Sequence, residues 1–154
     1  MGNIVSSKYH EPSMKCIFAS MRYRNGCVLK EATLLQEKLQ QKGFKLYIIN
    51  IRAGEDIDRS VFFTIKHCKT FLVFGTHDYG EDTGNSASTY CESKYAMNNG
   101  KKIILLRMIP SDQEFTHWWA EWIFGQNRKF SAWIEGQPMP TNLVDEIVKS
   151  TQAF

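Results

Sequence analysis

The sequence predicts a doubly wound α/β domain built on a mainly parallel sheet. Two observations carry this. Short apolar segments alternate with amphipathic helical segments along the whole chain. The middle apolar segments, Phe71-Leu72-Val73-Phe74 and Ile103-Ile104-Leu105-Leu106, are apolar at every position, not at alternate ones. Strands apolar on both faces belong in a sheet covered by helices on both sides. The length agrees, since 154 residues make one domain and a domain of about this size buries roughly 70% of its unfolded surface.

The elements come in this order. Residues 1–13 are polar and aperiodic and read as a flexible lead. Lys15-Cys16-Ile17-Phe18-Ala19-Ser20 reads as a buried first strand. A polar loop over 22–26 leads to Val28, Ala32, Leu35 and Leu39 at helical spacing, with Gly43 where a helix C-terminal glycine belongs. Residues 44–50 form a second strand, rich in aromatic and β-branched side chains. A turn over 52–56 precedes a second helix capped by Asp58 and running to about Cys68, with Val61, Phe62 and Ile65 inward. The third strand is 71–74. A long polar loop over 76–88 comes next, then a short helix that ends at Asn98-Asn99-Gly100. The fourth strand is 103–106. Pro110-Ser111-Asp112 is expected to open a fourth helix, with Phe115, Trp118, Trp119 and Trp122 at i, i+3, i+4 and i+7. A last strand over 129–134 and a final helix from Pro140-Thr141-Asn142, with Leu143, Val144, Ile147 and Val148 inward, complete the domain at about 150. Residues 151–154 are a tail.

Composition removes several functional classes. Hydrophobic residues are 43% and charged residues 23%, which excludes a disordered or low-complexity chain. Mean hydropathy is −0.35, and the longest apolar runs are far too short to cross a bilayer. Net charge is +3, with no basic run longer than Lys101-Lys102, so the chain is not expected to bind nucleic acid. Cys16, Cys27, Cys68 and Cys91 form no C-x-x-C pair and have no His at zinc-site spacing, so no metal is expected. They read as reduced, buried thiols of a cytoplasmic protein, and no secretory leader precedes them. Met1-Gly2-Asn3-Ile4-Val5-Ser6 fits the N-myristoylation pattern, which would give Gly2 a lipid and the domain a membrane contact.

In a doubly wound sheet, ligands bind beyond the carboxyl ends of the strands. The loops to inspect are therefore 21–26, 51–56 and 76–88. Ala19-Ser20-Met21 lacks the acidic residues a receiver domain needs. No P-loop and no G-x-G-x-x-G occurs. The four histidines are scattered and suggest no triad. The informative residue is Glu92, near the start of the helix after the third strand. The positive end of the helix dipole favours an ionised carboxylate there. Such a group can hold sugar hydroxyls or stabilise positive charge developing on a ribose carbon, though a glutamate at a helix start is also common without any chemistry.

Several segments, taken together, resemble the Toll/interleukin-1 receptor (TIR) domain family over residues 14–150. Cys16-Ile17-Phe18-Ala19-Ser20-Met21-Arg22 looks like its opening strand. Leu35 to Gly43 followed by Phe44 resembles the helix before the second strand. Ala53-Gly54-Glu55-Asp56-Ile57 resembles the BB loop. Ile65-Lys66-His67-Cys68-Lys69 leads into the third strand as in the family. Glu92-Ser93-Lys94-Tyr95-Ala96, then Gly100-Lys101 and Ile103-Ile104, resembles E-x-x-x-A…G-K-x-[VI]-I. The resemblance implies a flavodoxin-like, five-stranded sheet with helices on both faces. Some family members are interaction modules that join other TIR domains. Others cleave NAD+ at the nicotinamide–ribose bond, giving nicotinamide with ADP-ribose or a cyclic ADP-ribose isomer.

On that resemblance Glu92 is the catalytic residue, NAD+ is a substrate, and no cofactor is bound permanently. Ser20, Met21 and Arg22 would line the crevice, with Arg22 near the phosphates, and Gly54 would shape the gating loop. Many family members have Trp-Cys, two residues, then Glu, whereas this chain has Tyr90-Cys91-Glu92. Counting from the cysteine selects Lys94, and counting back from Ala96 and Gly100-Lys101 selects Glu92. The downstream count is preferred because the loop before the helix varies in length. The tyrosine usual after the first-strand serine is Met21 here, which leaves Tyr23, Tyr79 or Tyr90 to stack on the substrate. The resemblance implies self-association or pairing with other TIR domains. The competing readings are a non-catalytic TIR adaptor and, more distantly, a deoxyribosyltransferase-like enzyme.

Overall fold

The computed structural model describes residues 13–49, 57–85, 88–125 and 128–152, excluding the side chains of Ile57 and Asp58. Gly2, Gly54, the 52–56 turn and the Asp58 cap lie outside the described residues. Five strands, β1 (Ser13–Ser20), β2 (Lys45–Tyr47), β3 (Cys68–Gly75), β4 (Lys102–Arg107) and β5 (Phe130–Ala132), form one sheet in the order β2-β1-β3-β4-β5. Every neighbouring pair is parallel. The helices are α1 (Lys30–Gln41), α2 (Ile57–His67), α3 (Thr89–Asn98), α4 (Trp118–Gly125) and α5 (Leu143–Gln152). This is a flavodoxin-like α/β fold, as the sequence predicts.

The fully apolar strands explain themselves once both faces are traced. Alternate residues of a strand point to opposite sides. Ile17, Ala19, Leu72, Phe74, Ile104 and Leu106 pack with Ala32, Leu35 and Leu39 of α1 and Leu143 and Ile147 of α5. Cys16, Phe18, Phe71, Val73 and Leu105 pack on the other side with Val61 and Ile65 of α2, Ala96 of α3 and Trp119, Ala120 and Ile123 of α4. Phe18 and Phe71, on adjacent strands, stack at 5.4 Å between ring centroids. Two helix layers thus exclude water from both faces, which is what a parallel sheet needs.

Some boundaries differ from the sequence reading. β1 begins at Ser13, inside the expected lead, and α5 reaches Gln152, inside the expected tail. Pro110-Ser111-Asp112 does not open a helix. Arg107 donates to the carbonyls of Pro110 and Gln113, and Gln113 N–H donates to the Pro110 carbonyl, so the chain makes a turn there. The helix starts only at Trp118, although Phe115 is buried as its spacing suggests. The cysteines are all free, but Cys27 is exposed and Cys91 half-buried, against the expectation of four buried thiols. No helix among the described residues is long and apolar enough to cross a membrane.

Candidate active site at the sheet switch point

From β1 the chain crosses to β2 on one side and, later, to β3 on the other. The crevice between the carboxyl ends of β1 and β3 is therefore the topological switch point, where this architecture binds ligands. Ser20 is the last residue of β1 and is fully buried. Its alternation with Phe18 turns it toward the α2–α3–α4 side of the sheet.

Opposite stands α3. Ser88 caps it by accepting a hydrogen bond from the Cys91 N–H at 3.3 Å. The face that α3 buries is unusual: Thr89, Glu92, Ser93 and Ala96. These fall at i, i+3, i+4 and i+7, the spacing of an apolar stripe, yet three of the four are polar. Each buried polar group has a partner, as burial demands. Thr89 Oγ1 accepts from Gly80 N–H at 2.8 Å. Ser93 Oγ donates to the Thr89 carbonyl at 2.6 Å and accepts from Trp119 Nε1 at 2.8 Å. Glu92 Oε1 accepts from Ser20 Oγ at 2.8 Å.

Tyr79 completes the cluster, with its hydroxyl 2.7 Å from Ser20 Oγ. The segment after β3 holds it in place. Tyr79 N–H donates to the Thr76 carbonyl at 3.1 Å, and Gly80 adopts φ +90°, which suits glycine. A Cβ on Gly80 would also come within 3.1 Å of the Ala120 backbone nitrogen.

The electrostatics are set by burial. Removal from water pushes the Glu92 carboxyl up to about 8 from an ordinary 4.5, and the Ser20 hydrogen bond only partly opposes it. The sequence reading expects the helix dipole to keep this group ionised. Glu92 is only 7% exposed, and desolvation outweighs that attraction in the free protein. Burial and the Glu92 charge likewise push both the Tyr23 and Tyr79 hydroxyls above their ordinary value.

The structure thus brings Ser20, Tyr23, Tyr79 and Glu92 together. Tyr23 donates to the Ile49 carbonyl at 2.7 Å and is partly buried. Tyr79 is wholly buried, so in this conformation its ring offers no face to a ligand. Met21 packs into the α1–α5 core at 2% exposure and does not line the crevice. Arg22 pairs with Glu81 at 2.6 Å, both about one-third exposed. Tyr90 packs edge-on against Trp119 at 4.9 Å and beneath Lys94.

One further feature is not legible in the sequence. Arg24 donates to both oxygens of Asp78, at 3.2 and 3.1 Å, and to both oxygens of Glu135. It ties the segments after β1, β3 and β5 together. Burial works against the Asp78 carboxylate, but hydrogen bonds from Arg24 and Thr76 outweigh it and hold its pKa below the usual value. Arg24 is presented by a tight Arg24-Asn25-Gly26-Cys27 turn, with φ +52° at Asn25 and +72° at Gly26. Asn-Gly is the only local signal of that turn. Nothing near Arg24 in sequence announces Glu135.

Clefts of about 430 and 410 Å³ open elsewhere, one beside Gln36 and Lys45 and one beside Lys102 and Lys149. No buried titratable group lines either of them, and the perturbed carboxyl lies at the switch point. No group of three or more His, Cys, Asp or Glu side chains among the described residues is placed to hold a metal. No protein-family model matches the chain, and no curated protein matches it. What fold and site define is a flavodoxin-like α/β protein with a buried, hydrogen-bonded carboxyl group at its switch point.

Proposed function

We propose that the protein is an NAD+ nucleosidase of TIR type, acting in immune or stress signalling and activated by self-assembly, with Glu92 as its catalytic residue. The observation that carries this is the Glu92 carboxyl group, buried at the β1–β3 switch point and anchored by Ser20 through one oxygen. Its other oxygen would accept from a ribose hydroxyl. Cleavage breaks the nicotinamide–ribose C–N bond, and the electron pair leaves on nicotinamide, which departs neutral. The ribose carbon gains oxocarbenium character, as in glycoside cleavage, and an ionised Glu92 stabilises it. Attack by water, with loss of a proton, gives ADP-ribose. Attack by an adenine nitrogen gives a cyclic isomer. Arg22, released from Glu81, would face the pyrophosphate.

The direct test is nicotinamide release from NAD+ by concentrated protein, for wild type and Glu92→Ala. Equal rates would sink the assignment. Because the free carboxyl is held at about 8, kcat/KM should rise with pH and level off above that value. A fall over this range would mean that the protonated form acts. Assembly would make activity climb more steeply than protein concentration.

A second reading, a non-catalytic adaptor, is favoured by the exposed aromatics Phe63, Trp118 and Trp122, at 74%, 66% and 42% exposure. Oligomers that form without any NAD+ turnover would select it. For either reading we propose a cytoplasmic protein held at the membrane by a myristoylated Gly2. An unmodified or acetylated Gly2, by mass spectrometry of the protein from eukaryotic cells, would end that part.

A further inference from the structure

We propose that Tyr79 is a positioning residue that sets the charge state of Glu92 through Ser20. The inference rests on the catalytic reading of Glu92, but its test does not require turnover. The reason is a proton count. Ser20 has one hydroxyl proton, and an ionised Glu92 has none. The 2.8 Å contact between them is therefore a hydrogen bond only if Ser20 donates. Its proton is then spent, so the 2.7 Å contact with Tyr79 is a hydrogen bond only if the phenol donates. The ionised site has one proton order: Tyr79 to Ser20 to Glu92.

The surroundings reinforce that order. Ser93, on the same buried face, also lies against the Tyr79 hydroxyl, but its own proton goes to the Thr89 carbonyl at 2.6 Å and it already accepts from Trp119 Nε1, so it supplies no proton to the chain. Among the described residues, the phenols that feel the Glu92 charge are Tyr23, from the segment after β1, and Tyr79, from the segment after β3. Tyr23 is committed to the Ile49 carbonyl, which leaves Tyr79 as the phenol coupled to the Ser20 donor. Tyr79 itself is pinned from both sides, by the Arg24–Asp78 pair and by the Gly80–Thr89 bond. A chain of donors ending on a charge strengthens each link. Removing the first link weakens the last and makes the ionised carboxylate harder to form.

The experiment is a carbon-detected NMR titration of the Glu92 carboxyl in the free protein, for wild type, Tyr79→Phe, Ser20→Ala and the double variant. Tyr79→Phe keeps the ring and the packing. It should raise the Glu92 midpoint by about half a unit, and Ser20→Ala by about one unit or more, the range expected of hydrogen bonds to a charged group. In the Ser20→Ala background, Tyr79→Phe should add nothing, because its influence passes through Ser20. The proposal is overturned if Tyr79→Phe leaves the midpoint within about 0.2 units or lowers it, or if its effect survives the loss of Ser20. Should the midpoints move as stated while no variant or wild type releases nicotinamide, the positioning role stands and the catalytic reading falls. Where turnover is present, the pH profile of Tyr79→Phe should move to higher pH by the same amount.

Discussion

Among the described residues, two glutamates are buried in the first turns of helices, and they teach opposite lessons. Glu31 of α1 is 4% exposed, and its Oε2 accepts the Gly136 backbone N–H at 2.8 Å. Around it α1 buries Ala32, Leu35 and Leu39, an ordinary apolar stripe. Glu92 of α3 is 7% exposed and sits among Thr89 and Ser93, facing a serine and a phenol across the end of the sheet. Glu31 ties the segment after β5 to α1, where Gly136 at φ +87° needs an acceptor for its N–H. Among the described residues Glu92 secures no backbone group of another element, its side-chain partner being Ser20. It is held at high desolvation cost where the fold makes its crevice, which is the pattern of a group kept for chemistry.

Substitution should separate the two sharply. The largest expected effect is on turnover. Glu92→Gln should lower nicotinamide release about 100-fold or more, the scale of losing one aimed electrostatic group, whereas Glu31→Gln should leave it within about twofold. Matching losses would erase the distinction.

Next comes stability against pH. A carboxyl whose pKa is higher folded than unfolded binds its proton more tightly when folded. Its contribution is therefore most favourable below its ordinary 4.5 and is lost progressively as the pH climbs to about 8. The loss is on the order of 4 kcal/mol. Glu92→Gln removes the ionisable group, so it should melt higher than wild type at pH 8.5, by roughly 8–16 °C for a domain of this size. The gap should close toward pH 5. Calorimetry at the two pH values checks this, and a variant that melts lower at pH 8.5 would break it.

The smallest of these effects belongs to Glu31→Ala. It removes the acceptor of the Gly136 N–H, which water can replace at this exposed glycine, and should destabilise by about 0.5–1.5 kcal/mol in denaturant titrations.

The two glutamates also mark what a sequence can reveal. α1 is readable because its buried set is apolar and periodic, and Gly43, at φ +84°, closes it as expected. The sheet is readable because both faces of its central strands are covered by carbon. α3 hides its inward face, since Thr89, Glu92 and Ser93 look like a solvated surface until Ser20, Gly80 and Trp119 are brought against them. Met21 misleads because a strand end can turn toward the core or the crevice, and sequence does not say which. Tyr79 is legible as an aromatic near the site but not as a buried donor, because its partner lies 59 residues away. The start of α4 misleads too, because Pro110 and Asp112 suit a turn as well as a helix opening, and the deciding contacts come from Arg107.

The Arg24 clamp sets a timetable for synthesis. Its two carboxylate partners are Asp78 and Glu135, and Glu135 lies 111 residues downstream. A chain leaving the ribosome can assemble β1, β3 and α3, and so bring Ser20 to Glu92, long before Glu135 emerges. The Ser20–Glu92 contact would then form while the segment after β5 is still unfastened. β5 and the Glu135 turn beyond it complete the clamp, so nascent chains hold the buried carboxyl before its frame is fastened.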